Sequence, residues 1–132
     1  MTGVPVTTTD KPRVLVAEDN QAMRETLGEL LEEEGIEVVG KAVDGVDMLA
    51  QAERLQPDLI LMDLRMPRMD GIDATRAVKQ LLPNVRVLML SAYADPGLSD
   101  SAREAGADGY VVKGSAYAEL LDSILSTLPD RD

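Results

Sequence analysis

"LILMDLRMP", residues 59–67, sets a carboxylate directly behind four aliphatic side chains. An unbroken apolar run of this length is the pattern of a strand covered on both faces of a parallel sheet, not of one that alternates between core and solvent. Leu59 to Met62 therefore belong to a core. Asp63 follows at the same depth, where an ionised group needs a partner or a chemical task.

Similar runs lie on either side. "RVLVA" (13–17), "EVVGKA" (37–42), "DLILM" (58–62), "VRVLML" (85–90) and "GYVV" (109–112) are the predicted strands. The second is the weakest, and its Gly40 and Lys41 suit a sheet edge. Amphipathic stretches separate them. Residues 21–34 gather Met23, Leu27, Leu30 and Leu31 on one helical face, with Asn20 as N-cap and Gly35 as stop. Residues 45–55 do the same with Met48, Leu49, Ala52 and Leu55, and residues 71–82 with Ala74, Val78, Leu81 and Leu82. Residues 116–128 carry Leu120, Leu121, Ile124, Leu125 and Leu128, with Ser115 as cap. The segment 97–105 is the least apolar and predicts a short helix with a weak hold on the core. Five strands strictly alternating with five helices predict an α/β fold with a doubly wound parallel sheet. Physics alone does not order its strands. Residues 1–12, rich in Thr and Pro, read as a flexible leader and 129–132 as a tail or truncated linker, leaving one domain over 13–128.

Composition narrows the chemistry. A chain of 132 residues buries a real core without metal or disulfide staples, and with no Phe or Trp that core is aliphatic. The absence of Cys removes thiolate zinc sites and cysteine nucleophiles and suits a reducing cytoplasm. The absence of His removes imidazole ligands and Ser-His triads, so any phosphohistidine chemistry needs a second protein. A formal charge of −11 disfavours direct contact with nucleic acid or anionic lipid. The start has neither the basic nor the apolar region of a signal peptide, and no run nears the ~20 apolar residues of a membrane span. The expectation is a soluble cytoplasmic protein.

The residues that follow the strands carry the functional reading. Glu18 and Asp19 follow the first, Asp63 the third, Ser91 the fourth and Lys113 the fifth. In an open α/β sheet, ligands bind in the crevice outside the carboxyl ends of the strands, so these side chains converge on one site. Three carboxylates against one lysine leave an excess of negative charge that a divalent ion resolves, and all-oxygen ligands point to Mg²⁺ or Mn²⁺. Such a site suits phosphoryl transfer. One carboxylate attacks phosphorus, the metal and lysine neutralise its oxygens, and a hydroxyl donates a hydrogen bond. Asp63 stands alone on a central strand between the acidic pair and the lysine and is the candidate nucleophile. Each residue taken singly has an ordinary reading as a cap, a turn or a solvated charge. The weight rests on the set at successive strand ends.

"VLVAEDN", "LILMDLRMPRMDG", "VLMLSAYA" and "AGADGYVVKG" together resemble the receiver domain of two-component response regulators, over roughly residues 12–128. The resemblance implies a flavodoxin-like five-stranded sheet in the order 2-1-3-4-5. It implies Mg²⁺ held by Glu18, Asp19, Asp63 and the backbone carbonyl of Arg65, and transfer of a phosphoryl group from a sensor histidine kinase onto Asp63, with Lys113 and Ser91 assisting. Ser91 and Tyr110 would form the switch, drawn toward the phosphoryl group and turned inward respectively. The face of the fourth helix, fifth strand and fifth helix would then change its partners, an output domain or another protein; a homodimer is also compatible. Such a domain is a signalling switch and no enzyme beyond its own phosphorylation and dephosphorylation. Gly114 stands where many receivers have Pro, and "GYVVKGS" is similar to the subgroup that precedes a LuxR-type helix-turn-helix, which implies transcriptional output through a domain not in this chain.

Three other readings compete with this one. A phosphatase of the haloacid dehalogenase type resembles a pattern with a second Asp two residues after the nucleophile, where this chain has Arg65, which cannot donate the proton. A flavodoxin-like electron carrier needs a phosphate-binding loop where Glu18 and Asp19 stand. The third is a protein-interaction module that keeps the receiver fold without taking phosphate.

Overall fold

The computed structural model describes residues 11–129; residues 1–10 of the predicted leader and 130–132 of the predicted tail lie outside the described residues. The central run forms β3 (Leu59–Asp63), buried at all five positions. Around it the chain follows β1 (Arg13–Ala17), α1 (Gln21–Glu33), β2 (Glu37–Ala42), α2 (Gly45–Leu55), β3, α3 (Gly71–Leu81), β4 (Arg86–Ser91), α4 (Pro96–Ala105), β5 (Gly109–Val112) and α5 (Tyr117–Thr127). The strands are parallel in the order β2-β1-β3-β4-β5. This is the order the resemblance implied.

Alternation along the strands divides the core in two. Leu15, Ala17, Ile60, Met62, Val87 and Met89 meet Met48 and Ala52 of α2, Ala74 and Val78 of α3 and Ala102 of α4. Val14, Val16, Leu59, Leu61, Leu88 and Leu90 face the other way, onto Leu27 and Leu31 of α1 and Ile124 of α5. Because both faces are covered, the strand sequences read as continuously apolar. Each fully buried Leu contributes roughly 1.5–3 kcal/mol to folding.

The helix signals near α1 act as read. Asn20 Oδ1 accepts from the Met23 N–H at 2.9 Å. At the other end the Ile36 N–H reaches the Leu31 carbonyl at 3.0 Å and the Gly35 N–H that of Glu32 at 3.1 Å, the paired bonds of a Schellman motif. β2 lies at the edge, and its register with β1 shifts between Val14 and Leu15, skipping Val39 ahead of Gly40. α4 buries only Ala102 and Ala105, in keeping with its thin apolar pattern.

Other expectations need correction. The third and fourth strands run one residue later than predicted, so Asp63 and Ser91 are their last residues, paired with Leu90 and Val112 in the ladder. The apolar cue ends at Met62 and Leu90, but the backbone ladder continues through any residue type. Ser115 does not cap α5: its N–H bonds the Val112 carbonyl in the preceding turn, and Ala116 takes the cap position without a side-chain bond. Leu125 is 53% exposed and Leu81 is exposed too, although both were expected on inner faces. Ile124 fills the contact on α5, and Leu125, one residue further along, swings about 100° toward solvent; on α3 Ala74 and Val78 meet the core and Leu81 does not.

Candidate functional site

Parallel pairing in register brings the carboxyl ends of the strands level: Ala17 lies beside Met62, Met62 beside Met89, and Asp63 beside Leu90. Glu18 then follows β1 with its N–H bonded to the Ala42 carbonyl at 3.0 Å, and Lys113 follows β5 with its N–H bonded to the Ser91 carbonyl at 2.6 Å. Gly71 completes the crevice wall, because a Cβ there would stand 2.4 Å from the Asp63 carbonyl oxygen and 2.8 Å from Leu64 Cα. Only glycine allows α3 to start so close behind the site.

Glu18 and Asp63 are 1% and 3% exposed, and Asp19 is open to solvent. Carboxylate oxygens of all three lie within 4.8 Å of one another. Lys113 Nζ sits between two of them, 2.9 Å from Glu18 Oε1 and 3.0 Å from Asp63 Oδ1. Burial pushes the Glu18 carboxyl up to about 7, Lys113 and the Asn20 N–H pull it down, and Asp63 adds to the upward push. Burial lowers the Lys113 ammonium, but the hydrogen bonds and charges of Glu18 and Asp63 outweigh it and hold the lysine above its ordinary value.

Glu18 Oε1 is fully buried and, beyond the ion-pair contact with Lys113, has no hydrogen bond, whereas Oε2 accepts from the Asn20 N–H at 3.2 Å. A buried carboxylate oxygen with spare lone pairs, next to two more carboxylates and a single cation, fits a hard divalent cation. The Arg65 N–H lies 3.4 Å from Asp63 Oδ1, which places this residue at the rim of the site. An open cleft of about 670 Å³ adjoins it, lined by Asp19, Leu64, Arg65, Met66, Pro67 and Leu98 among others.

Ser91 is buried, and its Oγ accepts from the Tyr93 N–H at 3.1 Å. The Tyr110 ring packs against the α2–α3–α4 side of the core, and its hydroxyl donates to the Tyr93 carbonyl at 2.9 Å. The two predicted switch residues are thus joined through the backbone of one exposed residue.

Two arginines went unseen in the sequence. Arg24, on α1, donates from Nη1 to the carbonyls of Glu18 at 2.8 Å and Asp19 at 3.4 Å, bracing the turn that carries both acids. Arg68 pairs with Asp44, 24 residues away. Neither position belongs to a periodic pattern. The first turn of α1 was nevertheless a place to look for a cation beside an acidic pair.

Fold and site together define a doubly wound α/β domain whose strand ends converge on an acidic oxygen site closed by one lysine. The chain belongs to the response regulator receiver family: the profile of the response regulator receiver domain matches residues 14–125. Among curated proteins it is similar to the transcriptional regulatory protein PdtaR of Mycobacterium tuberculosis, 43% identical over 129 residues that cover 94% of this chain and 61% of that protein. It spans about three-fifths of that relative's length. Among solved structures it resembles a LuxR-family two-component response regulator from Aurantimonas sp. SI85-9A1, with a TM-score of 0.85 and 33% identity over 89% of this chain and 84% of that one. It also resembles a chain of the CheX-CheY-BeF3-Mg²⁺ complex of Borrelia burgdorferi, with a TM-score of 0.83 and 26% identity over 87% of each chain. Receiver domains are signalling modules of two-component systems, which connect sensor kinases to outputs. Among the described residues, no helix is long and apolar enough to cross a membrane.

Proposed function

We propose that residues 13–128 form a phosphoacceptor switch that takes a phosphoryl group from the phosphohistidine of a sensor kinase onto Asp63. The observation that carries this reading is the placement of Lys113 Nζ within 3.0 Å of both Asp63 and Glu18, inside a cluster of three acids. An Asp63 carboxylate oxygen forms the new bond to phosphorus as the phosphorus–nitrogen bond of the donor breaks and its electron pair returns to the imidazole. Lys113, held by two buried acids, is positioned to follow the charge from carboxylate to phosphoryl oxygen. Glu18, Asp19, Asp63 and the Arg65 carbonyl would hold Mg²⁺ or Mn²⁺, which when bound supplies positive charge against the phosphoryl oxygens.

Ser91 carries the consequence outward. Where Oγ moves toward a phosphoryl oxygen to donate its hydroxyl proton, that displacement disturbs the bond it accepts from the Tyr93 N–H, and Tyr93 is the residue whose carbonyl holds Tyr110. A local charge event thereby biases the segment leading to α4, whose N-terminal half holds no buried residue and reaches the core through Leu98. The α4–β5–α5 face is the proposed contact for an output domain, a partner protein or a second copy. Similarity to longer regulators supports transcriptional output and a cytoplasmic setting.

Incubation with acetyl phosphate and Mg²⁺ adds one phosphoryl group, read by intact mass, and Asp63→Asn abolishes the gain. A folded protein that binds Mg²⁺ and gains nothing points instead to an interaction module that does not take phosphate.

A further inference from the structure

The loop from Leu64 to Asp70 carries Arg65 past the site and is closed on itself, with the Gly71 N–H bonded to the Leu64 carbonyl and the Met69 N–H to that of Pro67, both at 2.7 Å. At Arg68 its backbone is left-handed, with φ 68°. Among the described residues the other non-glycine with positive φ is Gln56, which ends α2; Arg68 ends no helix. Side chains rarely adopt this conformation without compensation. Here the side chain is bound twice: Nε donates to Asp44 Oδ2 at 2.8 Å and Nη2 to Oδ1 at 3.2 Å.

Asp44 is a fixed post. Its side chain is 8% exposed, and its Oδ1 also accepts from the Asp47 N–H at 2.8 Å, capping α2. The loop and the first residue of α2 approach closely, since a Cβ on Gly45 would stand 2.5 Å from the Met69 carbonyl oxygen. Planar bidentate pairing of arginine with a carboxylate fixes orientation as well as distance, which a lysine does not do.

We propose that Arg68 is a positioning residue: its paired hydrogen bonds to Asp44 tether the β3–α3 loop to the start of α2, holding the Arg65 carbonyl where it completes the divalent-cation site. The inference rests on the proposed function and adds a loop constraint to it. Partners that orient metal ligands from behind typically change affinity by about 10- to 100-fold when removed.

The test compares wild type, Arg68→Gly, Arg68→Lys and Asp44→Asn. Glycine suits the left-handed backbone and asparagine still caps a helix, so neither change removes a local fold requirement. The readouts are amide hydrogen exchange over residues 64–70 without metal, titration with Mg²⁺ alone, and acetyl phosphate saturation. Expected are faster exchange confined to the loop and Mg²⁺ affinity lowered roughly 10-fold in Arg68→Gly, partial rescue by Arg68→Lys, and no further loss when Asp44→Asn is combined with Arg68→Gly. Wild-type exchange and wild-type Mg²⁺ affinity in Arg68→Gly, with a wild type that binds Mg²⁺ and takes one phosphoryl group, overturn the tether alone. A wild type that binds no Mg²⁺ overturns the reading of the site and the tether with it.

Discussion

Replacing Glu18 by Gln reshapes the pH dependence of stability in the metal-free protein. The carboxyl sits at about 7 in the fold, against 4.5 as its ordinary value, chiefly because it is buried. Between those two values the folded chain holds a proton that the unfolded chain has lost, so stability falls as pH rises. At 1.36 kcal/mol per pH unit the fall reaches about 3 kcal/mol by pH 8. Other shifted groups act elsewhere. Asp44 is held low by hydrogen bonds from Arg68 and the Asp47 N–H, so its contribution is lost only as pH drops through a value below 3.8. Lys113 is raised above 10.5 and Tyr117, through burial and then Glu34, above 10.0, so both act in the alkaline range. Glu18→Gln keeps the shape and the acceptor for the Asn20 N–H but cannot ionise. Urea titrations in EDTA at pH 5, 6, 7 and 8 check this. Wild type loses stability across the series and Glu18→Gln stays level, ending about 3 kcal/mol above it at pH 8, a midpoint shift of about 1–3 M at typical m values. Mg²⁺ restores wild type at pH 8 more than the variant. Equal slopes in the two proteins, or wild-type stability that rises from pH 5 to 8, would refute the burial of an ionisable Glu18.

Asp63→Asn removes one of three crowded acids and is expected to stabilise the metal-free fold at pH 8 by on the order of 1 kcal/mol, read as a rise in the urea midpoint; a fall contradicts the crowding. Lys113→Ala leaves a folded protein whose loss of stability as pH rises grows larger, because the buried Glu18 carboxylate loses the ammonium that holds its pKa down. Hydrogen exchange over α4 and β5 in that variant responds weakly to beryllofluoride; a wild-type response contradicts the role given to the lysine. Gly71→Ala drives a Cβ into the backbone at Asp63 and Leu64 and costs roughly 1–3 kcal/mol, with a matching loss of Mg²⁺ affinity; an unchanged denaturation midpoint shows that the loop gives way freely.

The site was legible because the apolar runs stop at chemically distinctive residues and parallel strands in register bring those stops together. That rule singles out Glu18, Asp63 and Lys113, and their side chains meet because the strand order sets β1 directly beside β3 and leaves only β4 between β3 and β5. The order of the strands was not legible from the residues, because each βαβ unit closes equally well beside several neighbours, and it came from the family resemblance. The Asp44–Arg68 and Arg24 contacts were invisible for another reason: they join loop and helix positions with no periodic spacing, and only the folded backbone brings them within reach. Leu125 shows the limit of counting apolar residues along a helix, since Ile124 and Leu121 already fill the inner face of α5.

The most direct measurement is of where the phosphoryl group goes. Treating the protein with acetyl phosphate and Mg²⁺, then reducing with borohydride, converts an aspartyl phosphate to homoserine that peptide mass spectrometry locates. Homoserine at position 63, present with Mg²⁺ and absent with EDTA, is the expected result. Homoserine at another aspartate, the longer alcohol at a glutamate, or neither while Mg²⁺ binds to folded protein, contradicts the assignment of Asp63 as the acceptor.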